Sequence, residues 1–305
     1  MKLVRTVAEV RAELAQARRM GKNVGLVPTM GALHEGHLSL IRRARAQSGF
    51  VVVSLFVNPT QFNDPSDLAA YPREEQADAA RAEHEGADLL FVPAATQLYP
   101  EEFATHITVS GIGEALEGAH RGPGHFQGVA TVVVKLLNIV APERAYFGQK
   151  DAQQAAVIRR VVRDLNLPVG IEVCPTVRAP DGLALSSRNG RLSPADRARA
   201  TGLYRALRAA EAAVHNGQRD PGAVVAAARA QLTACAIEPE YLELVDPHTF
   251  QPVEQLRGAV LALVAASFHG TRLIDNHMIH VPAATAAGAP ATIAADGELP
   301  ARSAA

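Results

Sequence analysis

The chain has no tryptophan and only two cysteines, Cys174 and Cys235, among its 305 residues. The cysteines lie far apart and belong to no paired motif, which argues against a disulfide framework and for a reducing compartment. No apolar stretch approaches the length of a transmembrane span, and residues 6–19 form a charged amphipathic pattern where a signal peptide would need an apolar core. We therefore expect a cytoplasmic protein that does not bind membranes.

A strong charge of either sign is also missing. Thirty Lys and Arg residues nearly balance 31 Asp and Glu, giving a net charge of −1 and a pI near 6.8. Such a chain has no overall positive electrostatic field to attract nucleic acid. We therefore expect small-molecule partners and no nucleic-acid partner. The hydrophobic content of 48% and the length are sufficient for two domains with real cores.

Strand and helix patterns alternate through the first part of the chain. The predicted strands are short apolar or β-branched runs at residues 24–27, 50–57, 88–92, 107–109, 145–147 and 171–176. The predicted helices lie near residues 6–19, 38–47, 74–85, 129–140 and 152–165. Continuous β-branched runs such as 50–57 are typical of parallel strands covered on both faces. The pattern predicts an α/β fold with a doubly wound parallel sheet, in which 107–109 is an edge strand.

The composition changes after Arg178. A polar loop is followed by Ala-rich helices and then by strands, predicted at 193–214, 222–236, 240–244 and 260–268. We predict a first domain at 1–178 and a smaller α+β domain at 179–282. Residues 283–305 are rich in Ala, Gly and Pro with little to bury, so we expect a disordered tail there.

The segment after the first predicted strand carries the strongest local signal. The strand stops at Pro28, and helical spacing of apolar residues begins near Leu38, so His34, Gly36 and His37 fall at a helix N-terminus. Free amides and the helix dipole favour an anion there, which predicts a phosphate site beside two imidazoles. Half of a metal site is the alternative, but no Cys or carboxylate lies at ligand spacing.

Other polar groups follow strand ends or the domain junction. Ligands of open α/β sheets bind beyond the carboxyl ends of the strands, where Gln61 and Lys150 are predicted to lie. Lys150 and Arg188 suit phosphate charge, and together these groups suit a nucleoside triphosphate. Taken alone, the Ser-Ser-Arg sequence ending at Arg188 is usually only a turn. The Gly-rich loop at 118–128 is either a plain connector or a ligand-facing loop before a helix.

Five motifs in this order resemble those of one family, the pantothenate synthetases (pantoate–β-alanine ligases) of the nucleotidylyltransferase superfamily. They occupy residues 28–37, 56–62, 123–133, 147–154 and 185–189. The resemblance implies a Rossmann-like domain with a smaller lid domain. It also implies an ATP-dependent ligase that joins pantoate to β-alanine through a pantoyl adenylate, with Mg²⁺, as a homodimer.

The resemblance further implies roles for single residues. His37 matches the proton donor, and we assign His34 and Lys150 as the other catalytic groups. Gln61 and Gln154 match glutamines that hold pantoate, with Gln61 also reaching β-alanine. The ATP contacts implied are Met30, Gly31, Ala32, Leu33, His34, Glu35, Gly36, His37, Gly148, Gln149, Lys150, Asp151, Val177, Leu185, Ser186, Ser187 and Arg188. The metal ligands are left unassigned.

The residue types fit this chemistry without the family. Attack of a carboxylate on the α-phosphorus builds negative charge that imidazolium, ammonium and guanidinium groups can meet. One rival is a nucleotidylyltransferase that acts on a phosphate, which should show Arg or Lys in place of Gln61 and Gln154. Another is a nucleotide sensor or RNA-binding module, against which the near-neutral charge and the retained Lys150 both count. Ala152 and His277 depart from the family pattern.

Overall fold

A computed structural model describes residues 1–282 of the chain. The strands are β1 (Lys2–Val4), β2 (Val24–Thr29), β3 (Phe50–Leu55), β4 (Leu89–Phe91), β5 (Arg144–Gly148), β6 (Gly170–Cys174), β7 (Tyr241–Val245), β8 (Ala259–Phe268) and β9 (Thr271–His280). The α-helices are α1 (Val7–Arg19), α2 (Glu35–Gln47), α3 (Pro65–Ala69), α4 (Glu75–His84), α5 (Ala95–Leu98), α6 (Glu117–Arg121), α7 (Gly124–Val140), α8 (Ala152–Asp164), α9 (Pro194–Ala200), α10 (Gly202–His215) and α11 (Pro221–Ala234). The expected disordered tail at 283–305 lies outside the described residues.

Six strands form a parallel sheet in the order β1-β4-β3-β2-β5-β6. Successive residues of β3 enter opposite cores, because side chains alternate across a strand. Val52 packs into a core that includes α1, α7 and α8, while Val51 and Val53 pack into one that includes α2 and α4. Both faces are therefore covered, which confirms the predicted doubly wound α/β class.

The second sheet is antiparallel, in the order β7-β8-β9. Helices α10 and α11 cover one face, where Val260 and Val264 of β8 belong to a separate core. Leu261 and Leu263, on the other face of β8, belong to the core of the parallel sheet. The smaller α+β unit is thus joined to the larger one by a continuous apolar contact.

Two of the strand assignments differ from the sequence predictions. Residues 107–109 form no strand, and the edge of the parallel sheet is instead β1, whose three residues are too few to show a periodicity. The antiparallel sheet has a third strand, β9, that was not predicted. It follows β8 through a two-residue turn, His269-Gly270, with φ values of 44° and 83°. Positive φ at both positions is the geometry of a hairpin turn.

Two helical segments also differ. The predicted helix at 193–214 is divided into α9 and α10 at Thr201-Gly202, two residues of poor helix propensity. The Gly-rich loop at 118–128 is partly helical, since α6 covers its start and α7 begins at Gly124 instead of residue 129. No helix among residues 1–282 is long and apolar enough to cross a membrane.

The winding of the parallel sheet reverses between β2 and β5. Strand β2 pairs with β3 on one side and with β5 on the other, although β5 comes much later in the chain. A crevice opens beyond the carboxyl ends of neighbouring strands at such a switch point, and ligands of open α/β sheets bind there. The residues after β2 and after β5 therefore border the expected site.

Candidate active site

A cleft at this switch point gathers most of the predicted site residues. Its walls include Met30, His34, Gly36, His37, Gln61, Gly148, Lys150, Asp151, Gln154, Val177, Leu185, Ser186, Ser187 and Arg188. Five residues predicted to contact ATP lie outside the cleft lining: Gly31, Ala32, Leu33, Glu35 and Gln149. Leu33 is buried, and Glu35 pairs with Arg42 at the surface.

The two histidines stack at the start of α2. His34 caps the helix, and its Nδ1 accepts the Gly36 N–H at 3.1 Å, while His37 Nδ1 faces the His34 N–H at 3.4 Å. The ring centroids are 4.1 Å apart. A Cβ on Gly36 would lie 2.8 Å from the His34 ring, so this packing requires glycine. Because both Nδ1 atoms accept, each neutral ring carries its proton on Nε2.

Both imidazoles are poor bases in this environment. Burial, together with the smaller effect of the neighbouring His34, lowers the pKa of His37 to about 3. Burial also lowers the pKa of His34, assisted by the positive charge of Lys150. Without a ligand the lowered pKa values keep the pair neutral at pH 7, with the Nε2–H groups as hydrogen-bond donors. A triphosphate bound beside the rings would raise both pKa values, because opposite charge favours the protonated form.

A buried carboxylate shapes the turn that leads to the histidines. Asp78 of α4 accepts the backbone N–H groups of Ala32 and Leu33, each at 2.8 Å. The Thr29 hydroxyl accepts the Gly31 N–H at 3.2 Å. Gly31 and Ala32 both have positive φ, 87° and 51°, a conformation that needs such support at a non-glycine position. The parallel-sheet unit by itself therefore holds the turn before the histidines.

Lys150 lies in a short 3₁₀ helix, Gln149–Asp151, directly after β5. Its Nζ is 3.3 Å from Asp151 Oδ1. The backbone carbonyls of Gln149 and Lys150 both accept from Asn276 Nδ2, each at 2.9 Å. Asn276 belongs to β9, so this turn is held from the antiparallel sheet.

Gln61 also lines the cleft, at the end of the 3₁₀ helix Pro59–Gln61. Its Oε1 accepts from Asn58 Nδ2 at 3.0 Å, and its backbone carbonyl accepts from His125 Nδ1 at 2.9 Å. Burial lowers the pKa of His125 to about 4. A Cβ on Gly128 would lie 2.5 Å from the Thr60 carbonyl oxygen, so glycine permits α7 to approach this helix.

The predicted phosphate-binding arginine is already engaged by a carboxylate. Ser186 caps the 3₁₀ helix Ser187–Arg191, accepting the Arg188 N–H at 3.3 Å. The Arg188 guanidinium donates to Asp67 at 3.1 Å, and Arg191 donates to the same carboxylate at 3.2 Å. A triphosphate in the cleft would compete with Asp67 for Arg188.

The match to known proteins is extensive. The family model described as pantoate-beta-alanine ligase matches residues 2–278. The chain belongs to the pantoate–β-alanine ligase family. It is 54% identical over 274 residues to a pantothenate synthetase of Cereibacter sphaeroides, a match that covers 90% of this chain and 98% of that protein.

Solved structures agree with the sequence match. The pantothenate synthetase of Thermus thermophilus superposes with a TM-score of 0.86 at 48% identity, covering 91% of this chain and 99% of that one. The pantoate-beta-alanine ligase of Francisella tularensis, solved with beta-gamma ATP and beta-alanine, gives 0.76 at 35% identity, covering 91% and 97%. The chain is therefore a ligase with a nucleotidylyltransferase fold, as predicted.

Several residues on the cleft wall were not assigned from sequence. His125 lines the cleft and belongs to the motif at residues 123–133. Its position just before a predicted helix was the sequence signal that could have identified it as a site residue. Asn276 ends a Leu-Ile-Asp-Asn stretch that fits the family pattern, but it lies in β9, which was not predicted as a strand, so its place near the site was not assigned. Glu117 accepts from both Arg272 terminal nitrogens and from the Tyr241 hydroxyl, all at 2.7 Å. These hydrogen bonds and the arginine charge outweigh burial and lower the pKa of Glu117 to about 2.

Proposed function

We propose that the cleft condenses pantoate with β-alanine at the expense of ATP, giving pantothenate, AMP and pyrophosphate through a bound pantoyl adenylate. The supporting observation is that one cleft joins His34, His37 and Lys150 to two uncharged amides, Gln61 and Gln154. The first group suits phosphate charge, and the amides suit the hydroxyls and carboxylate of pantoate. A phosphate-bearing acceptor would favour cations at the two glutamine positions.

The first step is attack of the pantoate carboxylate on the α-phosphorus of ATP. His34 and His37 present Nε2–H groups as hydrogen-bond donors to the oxygens that gain charge. The proton-donor role that the resemblance implies for His37 would need its imidazolium form, which the charge of a bound triphosphate would favour. Lys150 neutralises charge on the departing pyrophosphate, and Arg188 joins it when released from Asp67. Fixed donors of this kind usually contribute the largest catalytic effect.

The second step is attack of the β-alanine amine on the acyl carbon of the adenylate, which expels AMP. Gln61 and Gln154 hold the pantoyl group in place for both steps, and Gln61 also contacts the amine substrate. Positioning of this kind is worth up to about 7–11 kcal/mol in favourable systems. No covalent enzyme intermediate is needed, so Ser186 and Ser187 act as hydrogen-bond donors to phosphate.

Magnesium fits the cleft as an ion carried by the ATP phosphates. Among residues 1–282 no group of three or more His, Cys, Asp or Glu side chains is placed to hold a metal. Mg²⁺ usually binds phosphates and water with one or two carboxylates. Glu117 and Asp275 on the cleft wall are each held by an arginine at 2.7 and 2.6 Å, whereas Asp151 has only the longer 3.3 Å contact with Lys150, so Asp151 would supply the carboxylate. The ion would neutralise triphosphate charge.

The remaining elements of the proposal concern the state of the protein. We place the enzyme in the cytoplasm as a homodimer, following the two unpaired cysteines and the family resemblance. Light scattering on the purified protein measures the dimer directly, and a monomer mass at micromolar concentration contradicts it.

An isotope experiment tests the adenylate. Pantoate labelled with ¹⁸O in its carboxylate should transfer one labelled oxygen to AMP, because the attacking oxygen stays on the α-phosphorus when the amine displaces the adenylate. Pyrophosphate should carry no label. Label in pyrophosphate, or ADP and phosphate as products, places the attack at another phosphorus and removes the roles proposed for His34, His37 and Lys150.

A further inference from the structure

The side-chain amide of Asn276 makes all of its hydrogen bonds to the turn that bears Lys150. Its Nδ2 donates to the carbonyls of Gln149 and Lys150, and its Oδ1 accepts from Gln149 Nε2 at 3.2 Å. Both hydrogens and the oxygen of the amide thus have partners within two adjacent residues. Asn276 is only 3% exposed, so in the folded protein these bonds are shielded from water.

Asn276 is itself held in place by its neighbours. Its N–H donates to Asp275 Oδ1 at 2.7 Å, and Asp275 receives two guanidinium bonds from Arg178, at 2.6 and 2.9 Å. The Arg178 guanidinium lies 3.8 Å from the centre of the Tyr204 ring. A bidentate ion pair stacked on an aromatic ring is a rigid support, which fixes β9 where it meets the lysine turn.

We propose that Asn276 is a positioning residue of the adenylation step, which acts by fixing the 3₁₀ turn Gln149–Asp151 so that the Lys150 ammonium meets the triphosphate. The inference rests on the proposed function, because it assigns Asn276 a part in the chemistry of Lys150. The antiparallel sheet thereby supports a site whose proposed catalytic groups, His34, His37 and Lys150, all come from the parallel-sheet unit.

The size of the expected effect follows from the geometry. Asn276→Ala leaves two partly buried carbonyls without their protein donors, so the turn loses the contacts that fix its position. A displacement of about 1 Å at a positioned group can cost about 10²-fold in rate. We expect such a fall in pyrophosphate release from ATP and pantoate. With synthetic pantoyl adenylate and β-alanine, where pyrophosphate has already left, the rate should remain close to that of the unchanged enzyme.

A double-mutant cycle with Lys150→Ala separates positioning from general damage. If Asn276 acts through Lys150, Asn276→Ala lowers the adenylation rate in the unchanged enzyme but has no further effect in the Lys150→Ala enzyme. Equal factors in both backgrounds overturn the proposal, as does an unchanged rate in the single variant. Asn276→Asp fills the same volume without the two donors, and it serves as the test if the alanine variant does not fold.

The matched control is a histidine of the same strand. His280 is exposed at the end of β9 and lies outside the cleft lining, so His280→Gln changes β9 without touching the lysine turn or its support. Its adenylation rate should be unchanged, and a loss as large as that of Asn276→Ala overturns the proposal. Pyrophosphate release by the unchanged enzyme reports separately on the proposed function, since its absence refutes that function whatever the variants do.

Discussion

The two turns that carry the reacting groups are built in different ways. The histidine turn after β2 is held by Thr29, by Asp78 and by its own rings, all within the parallel-sheet unit. The lysine turn after β5 is held by Asn276, which lies 127 residues beyond Gln149 in the chain. The first turn is formed when its own unit folds, whereas the second also needs the antiparallel sheet in place.

This difference separates two kinds of variant. Changes in the histidine turn should alter catalysis or the stability of the parallel-sheet unit. Changes at the lysine turn should alter mainly the adenylation step, in which pyrophosphate leaves. Lys150 is the group of this turn that is proposed to meet the triphosphate. Four variants and conditions, taken from the largest expected effect to the smallest, test whether the two turns behave in this way.

His37→Ala should have the largest effect. The imidazole donates to charge that develops mainly in the transition state, and loss of one such donor typically costs about 10²–10³ in turnover. The folded state should persist, because the ring is at the cleft wall. Steady-state turnover and thermal unfolding are measured together, with the exposed His84→Ala as the control that leaves both unchanged. Normal turnover in a folded His37→Ala enzyme contradicts the assignment.

Lys150→Ala should impair one half-reaction more than the other. Its ammonium meets the triphosphate, so pyrophosphate release should fall by about 10²-fold, as for other fixed charge-stabilising donors. Amine attack on synthetic pantoyl adenylate should be much less affected. Lys2→Ala, a surface lysine remote from the cleft, is the control. Equal loss in both half-reactions shows that Lys150 is not chiefly a phosphate ligand.

Asp78→Asn tests the support of the histidine turn. The carboxylate accepts two backbone N–H groups, and an amide offers only one oxygen, so one buried N–H loses its partner at a cost of about 1–3 kcal/mol. Urea unfolding should show this loss, and amide exchange should increase in residues 31–37. Asp164→Asn at the exposed end of α8 is the control. If exchange rises equally in the lysine turn, the two turns are not independent.

The sequence predicted the histidine turn well because its determinants are local. A buried strand, a proline, two glycines and a helix start all lie within about a dozen residues, and the histidines do fall at the helix start. The bounds differ, because β2 continues through Pro28 to Thr29 and α2 begins at Glu35. The alternation of β-branched runs with helical patterns likewise predicted the parallel sheet. What it missed there was β1, whose three residues carry too little pattern.

The support of the lysine turn was beyond such reasoning. Asn276 lies in β9, a strand whose polar residues interrupt the usual alternation of apolar residues. Its Nδ2 donates to backbone carbonyls, and such contacts cannot be predicted from a pattern of side chains. The pairing of Arg188 with Asp67 was missed for a related reason, since the two residues are 121 positions apart. Contacts between distant segments depend on tertiary packing, which spacing along the chain does not encode.

The smallest effect should be the dependence of folding stability on pH. The folded pKa values of His37, about 3, and His125, about 4, lie below the ordinary value of 6.5. Between pH 6.5 and these values the unfolded chain binds more protons than the folded one, so the free energy of unfolding falls as the pH falls. Each histidine contributes a slope of up to about 1.4 kcal/mol per pH unit.

The contribution of the histidines to the slope is measured from about pH 5 to 6.5. Glu117, with a folded pKa of about 2, contributes to the slope only near and below its ordinary pKa of 4.5. Urea unfolding across this interval should show a smaller slope for His37→Gln than for the unchanged protein, and an unchanged slope for the exposed His84→Gln. Lys150→Ala should leave most of the slope in place, because burial is the main cause of the low pKa of His37 and the lysine charge is the smallest. If Lys150→Ala removes the slope, the acid sensitivity depends on both turns. The histidine turn is then not the self-contained unit that its hydrogen bonds indicate.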